Sequence, residues 1–536
     1  MTVFDVAPGT PRKAGVRSMV ALWIATIVAA SAVLSAAPTV VRAADITDVV
    51  DAADGDDPFD FHIEPRFTST LKRAKITREA PCNPEAIDEP TVDQASDPRS
   101  RTRFPRLVES TRCTEPSVVF NKEVRAWEEI SQLDILAQIG LFRDVEFHLE
   151  LPIIFVDQRG VAFAGNGGDR TKPIVDATNS SVDPSDSRII DDIRLNEDLS
   201  VNGAEFTTFR LFDVQGDGNK GPERSGFGDM KIGVAWNPFN DERDDTKATL
   251  KLGFDYLIPS GDVAKGGNTA VGRGVHELQW TFASSKRFKY MEPYFQVHYA
   301  LPLASANSLF QKEGAGQTLE QPGQRAEIQF GSEFIPFEDV EKGHKFQIDL
   351  GLSFAYTAEG RDYSLLFDAF ANSSCNGLSP NDIREAVARI KNNNAEDRET
   401  VAKAACAWVL DGPANADGTP VFDTFAESSQ AVTFSHDGIT DYEAFGTFGA
   451  HLGFYVQAAR YVQFRGKLRL QHEQEHFITA ARTGVDSSED ENSTVRFDNP
   501  DERNPFYSTT LDGVGNRFRV EETTIFTWSI ALALQF

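Results

Sequence analysis

The stretch Thr246–Pro259, TKATLKLGFDYLIP, decides the fold class of this chain. Polar Lys247, Lys251 and Asp255 alternate with apolar residues along it. The apolar set is Ala248, Leu250, Leu252, Phe254, Tyr256 and Ile258. A helix would mix the two sets around its axis, whereas a strand places them on opposite faces. The pattern therefore predicts a β-strand with one apolar and one polar face.

The same alternation recurs along the chain as far as the C-terminus. Each segment reaches the roughly 9–11 residues that a tilted strand needs to cross a bilayer, and the number of segments is even, as in bacterial barrels. The first segment fits least well, because its alternation weakens after Phe67. The twelve predicted strands are 61–76, 127–142, 145–155, 227–237, 246–258, 274–285, 290–301, 324–335, 345–357, 442–457, 461–478 and 519–536.

The spacers between these segments are alternately short and long. Spacer 143–144 is short, for example, whereas the spacer between the ninth and tenth segments, 358–441, is the longest. Short periplasmic turns and long external loops give a membrane barrel this pattern. We therefore predict an all-β fold: a transmembrane antiparallel up-and-down β-barrel over 61–536, with about twelve strands and a short helical insertion in loop 358–441. A soluble β-sandwich is the alternative.

Composition excludes two other classes of protein. There are 53 Lys and Arg against 81 Asp and Glu, which gives a net charge of −28. A nucleic-acid partner would need a basic face, so none is expected. The mean hydropathy of −0.33 excludes a bundle of membrane helices, which needs several long apolar runs.

The N-terminus resembles a secretory signal. A basic region precedes the apolar run Met19–Ala37, and Val41 and Ala43 occupy the −3 and −1 positions of a cleavage site. We expect residues 1–43 to form a signal peptide, with an uncleaved anchor as the alternative. Residues 44–60 would then form an acidic periplasmic tail or a small plug. Export and the predicted barrel together place the protein in the outer membrane of a Gram-negative bacterium.

Four cysteines suit two disulfides in an exported protein. We predict Cys82–Cys113 and Cys375–Cys406, the second pair closing the helical insertion. Pairing across the two loops is the alternative, because spacing alone does not fix connectivity.

A basic ladder, Arg465, Lys467 and Arg469, alternates with apolar residues and should face the lumen. It could steer anionic or phenolic solutes. Alternatively, it could pair with lumen acids such as Glu327, Glu333 or Asp349. We prefer pairing, because a twelve-stranded lumen is narrow and partly filled.

Two segments are weak candidates for metal binding. His472, Glu473 and His476 match a zinc-hydrolase pattern that requires a helix, but the predicted strand would separate the two histidines by roughly 13 Å. Asp213, Asp217 and Asn219 lie in a Gly-rich stretch that could bind Ca²⁺, although the full calcium-loop pattern is absent. We therefore assign no catalytic, metal or cofactor-binding residue, and no cofactor.

Two short motifs carry a family resemblance. The segment 226–229, GFGD, opens the fourth predicted strand, and 256–262, YLIPSGD, closes the fifth. Segment 143–152, which ends in the pattern L-x-L-P, fits the preceding hairpin. Together these segments resemble the outer-membrane family of the "MetA-pathway of phenol degradation", a group of transporters. The resemblance implies passage of small, often hydrophobic compounds. The terminal Phe536, on a strand with Trp528, resembles the signal that the outer-membrane assembly machinery recognises.

These observations predict a channel or transporter for passive uptake or efflux of small hydrophobic or aromatic molecules, and not an enzyme. The expected partners are outer-membrane lipid and lipopolysaccharide, the assembly machinery and a small-molecule solute. A non-conducting structural or adhesion barrel is the alternative, and a zinc hydrolase at 472–476 is the less favoured one.

Overall fold

The computed structural model describes most of the predicted barrel. The described residues are 44–50, 60–82, 117–163, 190–193, 206–208, 221–371 without 242, 266–267, 313 and 340–341, 438–486 without 460, and then 495, 501–507 without 503, and 511–536 without 516. The predicted signal peptide lies outside this part of the chain.

Twelve long antiparallel strands form one sheet, and all twelve coincide with predicted segments. The fold class is therefore confirmed. The strands are β1 (Phe61–Cys82), β2 (Ser117–Phe142), β3 (Val145–Phe163), β7 (Met230–Phe239), β8 (Thr249–Ile258), β9 (Val275–Ser285), β10 (Met291–Ala304), β11 (Arg325–Asp339), β12 (His344–Thr357), β15 (Phe445–Ala459), β16 (Val462–Glu473) and β18 (Phe518–Gln535).

In the described parts of the long connections lie seven short elements. One helix, α1 (Phe367–Ala371), follows β12. The helical insertion predicted between Cys375 and Cys406 lies outside the described residues and stays a prediction. No described helix is long and apolar enough to cross a bilayer. The short strands are β4 (Ile190–Ile193), β5 (Phe206–Thr208), β6 (Arg224–Phe227), β13 (Gly360–Asp362), β14 (Thr440–Tyr442) and β17 (His476–Phe477).

Each long strand pairs with the next one along the chain, and β1 pairs with β18 to close the barrel. The closing register runs from His62 opposite Gln535 to Arg78 opposite Phe518. Phe61 and Phe536 add one backbone hydrogen bond in each direction, at 3.1 and 2.9 Å. A closed sheet leaves no free edge, which is the condition that lipid imposes on strands.

The connections sort onto two ends of the barrel. At one end, which we call the short-turn end, lie spacers 143–144, 240–248, 286–290, 340–343 and 460–461. At the other, the long-loop end, lie all the remaining connections. The tightest turn places Asp144 at φ 56°, and the Asp144 carboxylate accepts a hydrogen bond from Asn240 Nδ2 at 3.0 Å. Asp is one of the residues that tolerate this left-handed region.

The distribution of polarity is the reverse of that in a water-soluble domain. On the outward face of β12, Leu350, Leu352, Phe354 and Tyr356 are 41–51% exposed, whereas inward Asp349 is 2% exposed. The other strands repeat this arrangement, so the polar side chains form the interior. Exposing so large an apolar surface to water would be unfavourable. Lipid chains would bury it, so this outward face is typical of a membrane protein.

Candidate functional site

The lumen carries the basic ladder on the inward face of β16, and each member is paired. Arg465 Nη1 lies 2.7 Å from Glu64 Oε2 and 2.8 Å from Asp45 Oδ1. Lys467 Nζ lies 3.9 Å from Asp349 Oδ2. Arg469 binds the Glu327 carboxylate and donates to Ser353 Oγ at 3.0 Å. Glu333, the third acid considered as a partner, accepts hydrogen bonds from Gln347 and from the backbone N–H of Asp45 instead.

Asp349 is the centre of a buried hydrogen-bond cluster beside this ladder. Tyr294 donates its hydroxyl to Asp349 Oδ1 at 2.6 Å, and Tyr455 donates to Oδ2 at 3.3 Å. His451 Nε2 lies 2.9 Å from Oδ2. A carboxylate held by several donors is fixed in place, so this cluster stiffens the wall between β10 and β15.

A second cluster crosses β3, β7 and β8. His148, Gly233 and Asp255 occupy one row of the sheet. Gly233 has no side chain, so the His148 ring reaches over it to the Asp255 carboxylate at 2.5 Å. The other ring nitrogen of His148 lies 2.9 Å from Glu146 Oε1. This wall of the lumen is therefore also fixed by hydrogen-bonded charges.

The segment Ala44–Val50 lies against the inward faces of seven strands at the short-turn end. Backbone N–H groups donate from Ala44 to Glu292 Oε1 at 2.7 Å, from Asp45 to Glu333 Oε1 at 2.9 Å and from Val50 to Glu146 Oε2 at 2.9 Å. Side chains of the wall bind the segment in turn. Asn237 donates to the Thr47 carbonyl and Lys251 to the Asp48 carbonyl. The Ser285 hydroxyl lies 2.7 Å from that of Thr47, and Arg465 pairs with the Asp45 carboxylate.

The sequence left two placements open for residues 44–60, a periplasmic tail or a small plug, because the stretch has no alternation that would decide between them. The only signal for it was on the strands, where inward glutamates such as Glu146, Glu292 and Glu333 lie near the short turns. Their exposures are 0–1%. A buried carboxylate needs a donor, and the chain supplies the backbone of its own N-terminal segment.

The long-loop end of the lumen is covered by α1 and its neighbours. Asp368 pairs with Arg224, whose side chain is fully buried, and one of the two contacts measures 3.0 Å. The Phe367 ring packs 4.5 Å from that of Tyr363 and faces the Arg159 guanidinium at 5.8 Å. With Val275, Phe310 and Ile439, Phe367 forms an apolar cluster of buried side chains.

The two motifs on which the resemblance rests meet at the rim of the long-loop end. Asp229 of GFGD accepts hydrogen bonds from the backbone N–H groups of Gly261, in PSGD, at 3.0 Å and of Arg273 at 3.2 Å. Ser260 donates to the Gly228 carbonyl at 3.2 Å. Burial raises the pKa of Asp229, and these hydrogen bonds oppose that rise. The motif residues therefore tie two strand ends together.

The segment His472–His476 is a strand end and not a helix. His472 lies on the outward face, whereas Glu473 points inward and accepts a hydrogen bond from Lys72 Nζ at 2.9 Å. The His476 ring stacks on Phe445 at 3.9 Å, donates to the Gln474 carbonyl and has its pKa lowered by burial. These residues do not converge on one point, and no described group of three or more His, Cys, Asp or Glu could hold a metal.

Several predicted sites fall outside the described residues. Asp213, Asp217 and Asn219 are among them, as are Cys113, Cys375 and Cys406. Of Cys82 only the backbone is described, at the end of β1. The calcium loop and both disulfides therefore stay predictions.

The outer surface carries the aromatic residues expected of a membrane protein. Trp528 lies outward with its ring 5.4 Å from Phe67 of β1, and Phe536 is 57% exposed beside the closing hydrogen bonds. Further exposed aromatic side chains gather at the short turns: Phe142, Phe239, Phe288, Tyr290 and Phe337. An outward groove of about 680 Å³ runs from β3 across β7, β8 and β9 to β10, and its lining includes Phe147, Val234, Phe254, Tyr256, His276 and Leu303.

No family model matches the chain. No curated protein matches it either.

Some solved structures are similar at a low level. An outer-membrane channel from Pseudomonas putida F1 has 8% identity over 92% of this chain and 100% of that one, with a TM-score of 0.34. A Pseudomonas aeruginosa FadL homologue has 7% identity, coverages of 89% and 90%, and a TM-score of 0.27. The Escherichia coli outer-membrane protease OmpT has 7% identity over 89% of this chain and 96% of that one, with a TM-score of 0.23. These likenesses carry no argument about activity, and they include channels and a protease.

Proposed function

We propose that this protein is an outer-membrane channel for passive uptake or efflux of small molecules in a Gram-negative bacterium. The observation that carries this proposal is the reversed polarity of a closed barrel, with apolar side chains outside and paired charges inside. The outward face suits lipid and lipopolysaccharide as surroundings, and the C-terminal strand suits the outer-membrane assembly machinery. The polar interior suits water and small polar groups.

The solute class is proposed from the lumen wall and the family resemblance together. Arg465, Lys467 and Arg469 pair with acids of other strands, so the wall carries both donors and acceptors beside tyrosine rings such as Tyr294 and Tyr455. A phenol combines a ring with one hydroxyl, and it can exchange hydrogen bonds with such a wall. We therefore propose small aromatic compounds as the preferred solutes.

The test is single-channel conductance in planar bilayers, followed by liposome swelling with phenols, fatty acids and sugars. We expect ion conductance and faster swelling with phenols than with sugars of similar size. A protein that shows the heat-modifiable mobility of a folded barrel but passes neither ions nor solutes would contradict the channel proposal.

A non-conducting structural or adhesion barrel is the second candidate, and the filled lumen favours it. The segment Ala44–Val50 occupies one end, and the cover formed by α1 occupies the other. Deleting residues 44–50 separates the two candidates. A channel should conduct more after the deletion, because the segment narrows its lumen, whereas a structural barrel should stay silent with and without the segment.

A further inference from the structure

We propose that the lumen contains a binding site for the protein's own mature N-terminus. The site consists of Glu292 and Glu333, and its ligand is the α-ammonium group of Ala44 that cleavage of the Ala43–Ala44 bond produces. This assignment stands on the contacts of Ala44 and does not need the barrel to conduct.

The geometry places the Ala44 nitrogen at the site. It lies 2.7 Å from Glu292 Oε1, and Ser285 donates its hydroxyl to the same oxygen at 2.7 Å. The next nitrogen, of Asp45, lies 2.9 Å from Glu333 Oε1. Ala44 and Glu292 are 0% exposed and Glu333 is 1% exposed, so water does not solvate these groups.

The site has an acceptor that the amide nitrogen does not use. Glu292 Oε2 is buried and accepts no hydrogen bond from the described residues, and its nearest cation in an ion pair is Arg287 Nη1 at 3.8 Å. An amide nitrogen carries one proton, whereas an ammonium carries three. The additional protons of an ammonium match the unused carboxylate oxygen.

The local balance of charge also calls for a cation. Arg287 pairs with Glu338 at 2.7 Å, and Lys345 interacts electrostatically with Glu292, Glu333 and Glu338. Among the described residues, these two cations face Glu292, Glu333 and Glu338, and two further carboxylates lie beside them: Asp241, and Asp45, which Arg465 binds. Buried carboxylates are stable when they are paired. An α-ammonium group would supply the missing positive charge.

The chemistry of export supplies that group. Val41 and Ala43 fit the −3 and −1 positions of a signal-peptidase site. Hydrolysis breaks the Ala43–Ala44 C–N bond: the hydroxyl of water joins the Ala43 carbonyl carbon and the hydrogen joins the Ala44 nitrogen. The new carboxylic acid loses its proton, and the new amine, with a pKa of about 7.7–8.0 in unperturbed chains, binds one at neutral pH.

Amine labelling of the purified mature protein tests the site. A succinimidyl ester at pH 7 is followed by mass spectrometry of the N-terminal peptide, with the urea-unfolded chain as the reference rate. We expect Ala44 to be the first residue and to be protected in the folded barrel. Glu292→Gln should label about ten- to a hundredfold faster, which corresponds to the loss of one charge-assisted hydrogen bond.

A matched control is Glu277→Gln, a lumen glutamate of β9 at the long-loop end, which should leave the labelling rate unchanged. If Glu292→Gln does not fold, a chain refolded with one glycine before Ala44 serves instead. It keeps every barrel residue but displaces the amine, and it should label at the unfolded rate. An intact leader, cleavage at another bond, or an Ala44 amine that labels in the native barrel at the unfolded rate would overturn the proposal.

Discussion

Gly233 shows how one missing side chain positions two others. A Cβ atom at this position would overlap the His148 ring and the Asp255 carboxylate. Gly233→Ala should therefore break that contact and destabilise the barrel by about 1–3 kcal/mol, as overpacking usually does. Urea titration of heat-modifiable mobility measures it. Gly466→Ala is the control, because its Cβ would meet no atom closer than 4.0 Å. Equal midpoints for both variants would refute this account.

The same residue scale shows what sequence could not predict. Alternation sets the face on which Arg469 lies and made Glu327 one of three candidate partners of the ladder. It does not say which ladder residue binds Glu327, which is 142 positions from Arg469 and on a different strand. That pairing follows from the registers of β11, β12, β15 and β16 together, and each register depends on packing along the whole strand. Arg465 reaches Glu64 by crossing β18 between them, which no local pattern encodes.

At the scale of elements, β18 closes the barrel and offers a sharp contrast between its two faces. Trp528→Asp should impair assembly, because a charge on the lipid face near the bilayer midplane costs on the order of 2 kcal/mol. Deletion of Phe536 should also impair assembly, because it removes the pair of hydrogen bonds with Phe61 that helps to close the barrel. Ser529→Asp is the matched control, since Ser529 points inward and lies opposite Lys467. Heat-modifiable mobility reports assembly. Normal mobility of Trp528→Asp, or a defect in the control as severe, would contradict this assignment.

The elements also show where the pattern ends. The predicted bounds are close for strands such as β9 and β12, where lipid on one side and the lumen on the other enforce alternation. β2 begins at Ser117, ten residues before the predicted 127, and β1 continues to Cys82 instead of 76. These extensions pair with each other at the long-loop end. Pairing of backbones needs no alternation of side chains, so the sequence does not reveal it.

At the scale of the whole molecule, the predicted disulfides involve Cys82 at the end of β1 and three cysteines outside the described residues. Cys82–Cys113 and Cys375–Cys406 should each close a ring and remove roughly 3–4 kcal/mol of unfolded-state entropy in the chain-entropy model. Non-reducing peptide mapping should find both pairs, and reduction should raise protease sensitivity while leaving heat-modifiable mobility unchanged. A peptide joining Cys82 to Cys375, or four free thiols, would show the pairing to be wrong.

The orientation of the whole barrel follows from its two unlike ends. Assembly from the periplasm carries loops across the membrane, and short turns stay behind, so the short-turn end should face the periplasm. Epitope tags within 164–189, 381–409 or 487–494 should therefore bind antibody on intact cells. Tags at 242–243 or 340–341 should bind only after the outer membrane is permeabilised. Both sets lie between barrel strands, where insertions are tolerated best. Labelling of only the tags at 242–243 or 340–341 on intact cells would show the opposite orientation. Labelling of both sets would exclude a membrane barrel, because a chain without a bilayer around its strands exposes both ends to antibody.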